Sequence, residues 1–184
     1  MPAPPLTEQH SALHRNEAEA LAVPFFPHLG ELEPVGLADL PPAYQTLLGH
    51  EGHMTVTLEA WHESLMDVRV VGEHAEGSQY ARHSLLARQS DGRVVQSGVM
   101  RIDLAGLPPE VQQRVAAGGC PLGRILIRSN LLREVELLAL WRITPGEQLA
   151  AELQTDAGEV IYGRCARIIV ENRNAVELLE IVKP

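Results

Sequence analysis

Six segments of the chain carry the residue pattern of β-strands. In them apolar and polar residues alternate or β-branched residues cluster, and turn formers such as Ser90-Asp91-Gly92 lie between neighbouring segments. Because successive side chains of a strand point to opposite faces, this pattern predicts strands rather than helices. The predicted strands cover residues 67–73, 79–88, 94–103, 134–143, 159–170 and 175–182.

Helices are predicted mainly where proline precedes a run of helix-forming residues. Proline in the first turn costs no intrahelical hydrogen bond, and a glycine such as Gly49 often follows the last turn. A shorter helix is predicted near the N-terminus, with Asn16 as its N-cap. The predicted helices cover residues 15–22, 42–48, 108–117 and 121–128.

The order of these elements predicts the fold class. Most strands follow one another through short turns, and the helices lie before the first strand and between the third and the fourth. This order predicts a single α+β domain in which helices cover one face of a six-stranded antiparallel sheet. Residues 1–34 show no strand period and are predicted to be a partly mobile N-terminal extension of a domain at residues 35–184.

Composition narrows the function classes. The chain has 184 residues, is 45% hydrophobic and carries a formal net charge of -9, with no basic block. One core is expected, and nucleic acid is not expected as a partner. Cys120 and Cys165 are too few for a disulfide framework, and no apolar run reaches the ~18 residues of a membrane span, so a cytoplasmic protein is predicted. The sequence carries no signal of oligomeric state.

Arg82 is a charged residue in a strand with two largely apolar faces. Tyr80, Ser84 and Leu86 share its face, and the residues between them lie on the other. A guanidinium held there keeps its charge and offers a planar fork that suits a carboxylate. The alternative is a structural arginine that extends from a strand end or pairs with a glutamate.

A second candidate lies where Pro121 opens a helix after Gly118-Gly119. The first backbone amides of a helix lack intrahelical acceptors and lie at the positive end of its dipole. The N–H groups of Leu122 and Gly123 are therefore candidates for binding a carboxylate. The alternative is an ordinary loop with proline at the helix start.

Glu180 is a carboxylate within the apolar segment 178–182. Burial would allow this carboxyl to donate or accept a proton near neutral pH. The alternative is a position on an exposed face, which the nearby Glu177 favours.

No motif indicates a metal or a cofactor. The segment His50-Glu51-Gly52-His53 has one residue too few for the helical zinc motif, and its glycine disfavours a helix. A catalytic zinc also needs three converging ligands. The phosphate loop, the dinucleotide fingerprint and the nucleophile elbow are all missing from the sequence. We therefore predict no metal and no cofactor.

Several short motifs, taken in order, resemble the chorismate lyases. They are His53-Met54-Thr55, Tyr80 to Leu86, Gln96-Ser97-Gly98-Val99, Pro121 to Leu126, Gly163 to Arg167 and Leu178 to Pro184. The resemblance covers about residues 37–184 and implies the fold that chorismate lyases share with the UTRA effector domains of bacterial transcription regulators. His53, His83 and Arg128 depart from the family pattern.

The resemblance also implies an activity. Arg82 would bind the ring carboxylate of the substrate, assisted by the N–H groups of Met54 and Leu122, and Glu180 would face the oxygen at the ring 4-position. Arg82 and Glu180 would then be the catalytic residues of a chorismate pyruvate-lyase, which releases 4-hydroxybenzoate without a cofactor. The alternatives are a non-catalytic UTRA-like module that binds a small aromatic acid, and a related lyase acting on another chorismate-like acid.

Overall fold

The computed structural model describes residues 6–129, 131 and 133–184, with side chains from His14 onward. Residues 1–5 of the predicted mobile extension lie outside this part. The elements are α1 (Leu6–Ala22), β1 (Gly30–Pro34), α2 (Pro42–Leu48), α3 (Met54–His62), β2 (Met66–Glu76), β3 (Gln79–Arg88), β4 (Val94–Asp103), α4 (Pro109–Ala116), α5 (Leu122–Arg128), β5 (Arg133–Pro145), α6 (Glu147–Leu153), β6 (Ile161–Val170) and β7 (Arg173–Val182), with short 3-10 helices at Leu37–Asp39 and Leu104–Gly106.

The strands form one antiparallel sheet in the order β1-β5-β6-β7-β4-β3-β2. The α+β class is confirmed, but the prediction of six strands is wrong, because the described part of the chain contains seven. The additional strand, β1, lies at the sheet edge and pairs Leu32 with Ile143 of β5. Only Leu32 is buried among its five residues, so β1 has almost no alternating pattern to detect.

Helix α1 is longer than predicted, and helix α6 was not predicted. Helix α1 begins at Leu6, so Asn16 lies inside the helix and does not cap it. Helix α6 follows Gly146 directly and has only seven residues. Such a short helix shows two turns of periodicity at most, which explains why the sequence pattern did not reveal it.

Helices cover both faces of the sheet, which corrects the prediction that they cover one. Helices α1 and α6 pack on one face through buried side chains such as Leu21 and Leu149, against Trp141 and Leu179 of the sheet. Helices α2 to α5 pack on the other face. The central strands are therefore buried on both sides: seven of the ten residues of β4 and seven of the ten of β6 are buried, and the others are partly buried.

The segment before residue 35 packs onto this same sheet. Ala18, Leu21, Phe26 and Leu29 are buried, and β1 completes the sheet edge. The domain boundary at residue 34 stays a prediction. Within the part of the chain that the structure describes, no helix is long and apolar enough to cross a membrane.

Candidate functional site

A cavity lies between the sheet and the N-terminal ends of α3 and α5. The volume of this cavity is about 60 Å³. The residues predicted from the sequence, which are Met54, Arg82, Leu122, Gly123 and Glu180, all line this cavity. Their roles in binding or catalysis stay predictions.

Strand register brings the sheet residues of the site together. Arg82 of β3 lies opposite Met100 of β4, and two residues further along Ser84 lies opposite Gly98. Gly98 in turn lies opposite Glu180 of β7. Because residues two apart on a strand share a face, this register places the arginine and the carboxylate on the cavity side.

Arg82 is a buried cation without a counter-ion. Its side chain is 1% exposed, its Nη1 donates to the carbonyl oxygen of Val115 at 3.4 Å, and the Tyr80 hydroxyl lies beside it. Its Nε has no hydrogen-bond partner. Among the described residues Arg82 forms no direct ion pair, although the neighbouring Tyr80 hydroxyl donates to Glu73, which lies opposite Arg82 on β2. The charge of Arg82 and its Nε therefore remain without a direct partner.

Glu180, in contrast, has an ionic partner. The Nε of Arg164 donates to Glu180 Oε2 at 2.7 Å, and the two side chains are 0% and 9% exposed. The strand around Glu180 is apolar in sequence, but the neighbouring strand β6 supplies this cation. Glu180 therefore faces the cavity as a positioned hydrogen-bond acceptor.

Arg164 also holds the loop that precedes α3. Its Nη1 donates to the carbonyl oxygen of His50 at 2.6 Å, and its Nη2 donates to that of Gly52 at 3.1 Å. The backbone N–H of Gly52 donates to His50 Nδ1 at 3.0 Å, which closes the loop on itself. One guanidinium thus positions both Glu180 and the start of α3.

Two helix starts meet at the cavity mouth. Met54 and Thr55 open α3, and backbone N–H groups at such positions have no intrahelical acceptor. The start of α5 approaches closely because residue 123 is glycine: a Cβ there would lie 3.2 Å from the Cβ of His53. Arg124 of α5 pairs with Glu59 of α3 and joins the two helices.

The sequence analysis missed two groups of the site. Arg164 lies in the Gly-Arg-x-x-Arg motif but was given no role; its charge between Tyr162 and Ala166, on the inner face of a buried strand, is the signal that identifies it. Gln96 also lines the cavity with a buried side chain. Two adjacent polar residues, Gln96 and Ser97, within a strand that begins with two valines are the corresponding signal.

The three residues that depart from the chorismate lyase pattern, His53, His83 and Arg128, lie in different parts of the structure. His53 lines the cavity. His83 points to the opposite face of the sheet, where its Nε2 lies 3.0 Å from Ser97 Oγ and its ring packs against Phe26. Arg128 is exposed at the end of α5. Of the three, only His53 is placed to contact a ligand in the cavity.

His53 is held in its neutral form. The Nε of Arg133 donates to His53 Nε2 at 3.1 Å, which requires a lone pair on that ring nitrogen. Burial, followed by the charge of Arg133, lowers the pKa of His53 below its ordinary value of 6.5. Burial and the charge of Arg164 lower the pKa of His50 in the same direction.

We expect the free energy of unfolding to fall as the pH drops below about 6.5, the ordinary pKa of histidine. The folded-state pKa values of His50 and His53 are lowered, so the unfolded chain takes up protons first and the stabilisation present above pH 6.5 is lost on acidification. Urea unfolding between pH 7.5 and 5 measures this slope. The variant His53→Gln should show a shallower slope, by at most about 1.4 kcal/mol per pH unit; an unchanged slope would contradict the assignment.

The described residues contain no group of three or more His, Cys, Asp or Glu side chains placed to hold a metal ion. The polar groups that line the cavity are instead the backbone at two helix starts and the side chains of His53, Thr55, Arg82, Ser84, Gln96, Arg164 and Glu180. This arrangement is suited to binding a small anion that also carries hydrogen-bonding groups.

Comparison with known proteins places the fold. No family model matches the chain, and no curated protein matches it. The effector domain of PhnF from Mycobacterium smegmatis has a similar structure, with a TM-score of 0.50 and 13% identity over 82% of this chain and 91% of that one. A structure of PhnF from the same organism has a TM-score of 0.50 and 14% identity over 99% and 87%.

The C-terminal domain of the histidine utilization repressor from Pseudomonas syringae pv. tomato gives a TM-score of 0.44 and 19% identity over 64% of this chain and 90% of that one. At such identities the two PhnF structures establish the fold, which is the chorismate lyase-like or UTRA fold. The prediction of a chorismate pyruvate-lyase is wrong, because the solved neighbours are effector domains of GntR-family transcriptional regulators. This chain has the fold of those effector domains.

Proposed function

We propose that this chain is a non-catalytic module that binds a small organic acid in the cavity between the sheet and helices α3 and α5. The observation that carries the proposal is Arg82, a fully buried guanidinium that faces the cavity without a counter-ion. A buried charge without a partner is strongly unfavourable, and an anionic ligand would supply the partner. The likeness to the PhnF effector domain supports the same reading.

The rest of the lining favours an acid with an apolar body. Apolar side chains form much of the wall between Arg82 and the mouth; they include Val68, Leu86, Val135, Ile168 and Leu178. Glu180 Oε2 is engaged by Arg164. Its other oxygen, Oε1, accepts no hydrogen bond from the described residues and is available to a ligand hydroxyl or amino group. Apolar walls with a few polar groups are the usual composition of small-molecule sites.

Ligand binding should raise the unfolding temperature of the protein. We expect acids such as benzoate and 4-hydroxybenzoate to stabilise it, by about 5–10 °C at a hundred times the dissociation constant, and benzamide, a neutral analogue of benzoate, to have no effect. Differential scanning fluorimetry gives the shifts and titration calorimetry the affinities. An equal effect of benzamide and benzoate, or no binding of any acid, would refute acid recognition.

Catalysis is tested separately by incubating the protein with chorismate. We expect binding without release of 4-hydroxybenzoate, because the proposed module holds its ligand unchanged. Product formed in excess over the protein would refute the non-catalytic assignment and leave acid binding intact.

A further inference from the structure

Gln96 presents an unpaired amide to the cavity. Its side chain is 6% exposed and lines the cavity, and its Oε1 is buried without a hydrogen-bond partner. The amide lies back over Gly98, since a Cβ on residue 98 would be only 2.7 Å from Gln96 Nε2. Glycine at this position therefore makes room for the amide at the cavity floor.

An amide in such a place is unfavourable while the cavity is empty. Buried polar groups are nearly always hydrogen-bonded, and an unpaired one costs free energy that an apolar side chain of the same shape does not. Methionine has a similar length and would avoid the cost. The glutamine is thus better suited to the occupied cavity than to the empty one.

Gln96 lies at the opposite end of the cavity floor from Arg82. It is four residues from Met100, which lies opposite Arg82, and two residues beyond Gly98, which lies opposite Glu180. At a rise of about 3.3 Å per residue, the two ends are roughly 13 Å apart between backbones, and both side chains extend from the same face. Arg82, Glu180 and Gln96 therefore form a polar row with the anion site at one end.

We propose that Gln96 selects acids that carry a hydroxyl or amino group at the end opposite the acidic group. This inference rests on the proposed function, since Arg82 must orient the ligand so that its other end contacts Gln96. The group forms a hydrogen bond with the Gln96 amide, whose Oε1 has no partner in the structure.

Matched ligand pairs test the inference. The pairs are cinnamate with 4-hydroxycinnamate and benzoate with 4-hydroxybenzoate, which differ only by a hydroxyl group and present it at two distances from the acid. In the unsubstituted protein we expect the hydroxyl to tighten binding about tenfold in at least one pair, as for one neutral hydrogen bond. In Gln96→Met this preference should disappear while the parent acid binds as before.

The control variant is Gln148→Met. Gln148 lies on α6, and its Nε2 donates to Glu152 Oε1 at 3.0 Å, on the other face of the sheet. It should keep the hydroxyl preference. Gln96→Met should also raise the unfolding temperature of the unliganded protein by about 2–4 °C, which a structural glutamine would not allow. Gln96→Leu serves as the second variant if the methionine variant does not fold.

The outcomes separate the two proposals. If acids bind and the hydroxyl preference survives in Gln96→Met, Gln96 is not the selecting residue although acid recognition stands. The same holds if neither pair shows a preference in the unsubstituted protein, or if Gln96→Met lowers the unfolding temperature. If none of these acids binds to the unsubstituted protein, acid recognition fails and the inference fails with it.

Discussion

Arg82→Met should abolish acid binding and stabilise the unliganded protein. Arg82 is 1% exposed, faces the cavity and has no counter-ion among the described residues. A bound carboxylate would gain charge-assisted hydrogen bonds of about 1.5–3 kcal/mol each, so the loss of two should weaken binding at least a hundredfold. Removing a buried unpaired charge should stabilise the empty protein by about 1–2 kcal/mol.

Calorimetric titration with benzoate and urea unfolding measure the two effects. The control is Arg101→Met, one residue beyond Met100 on β4, because Arg101 is 40% exposed and pairs with Glu177 at the surface. It should change neither quantity by more than about 1 kcal/mol. Unaltered benzoate affinity in Arg82→Met would contradict the assignment of Arg82 as the anion-binding residue. A strong loss of stability would indicate that Arg82 has a structural role.

Arg164→Met should destabilise the protein by about 3–5 kcal/mol, the usual cost of removing one partner of a buried ion pair. The substitution leaves the Glu180 carboxylate without its cation and the carbonyl oxygens of His50 and Gly52 without their donors. The double variant Arg164→Met with Glu180→Leu should recover part of this loss, because an apolar pair replaces the stranded charge. Urea unfolding of both single variants and the double variant gives the coupling energy.

Arg167→Met is the matched control for this experiment. Arg167 lies three residues further along β6, and its Nε is 3.2 Å from Glu136 Oε2 in a partly exposed pair. Its loss should cost less than about 1 kcal/mol. A similar loss of stability in Arg164→Met and Arg167→Met would contradict the role of Arg164 as the buried partner of Glu180. The same conclusion would follow if the double variant regained no stability.

The ordered motifs predicted the shared fold, but the function they predicted was wrong. The ordered motifs identified the fold class that the PhnF structures share, and they named five residues that line one cavity. They did not distinguish a lyase from an effector domain. One fold can host unrelated functions, so motifs that identify the scaffold do not by themselves identify a reaction.

The sequence alone determined the elements that have strong local patterns. Strands β3 and β4 have their predicted bounds because ten residues of alternation, ended by turn formers, specify a strand without help from the rest of the chain. Helices α2, α4 and α5 begin within a residue of the predicted positions, since proline at their starts acts locally. Elements with a weak local pattern, such as β1 and α6, could not be predicted from the sequence.

Only the tertiary structure decided which charges are paired. In sequence, Arg82 and Arg164 are alike, each an arginine in the interior of a buried strand. Register places Glu180 beside Arg164, whereas Arg82, which lies opposite Glu73 of β2, forms no ion pair among the described residues. Pairing between strands depends on contacts distant in the chain, and no local pattern encodes it. The sequence therefore determined that charges enter the core, and the fold determined which of them forms an ion pair.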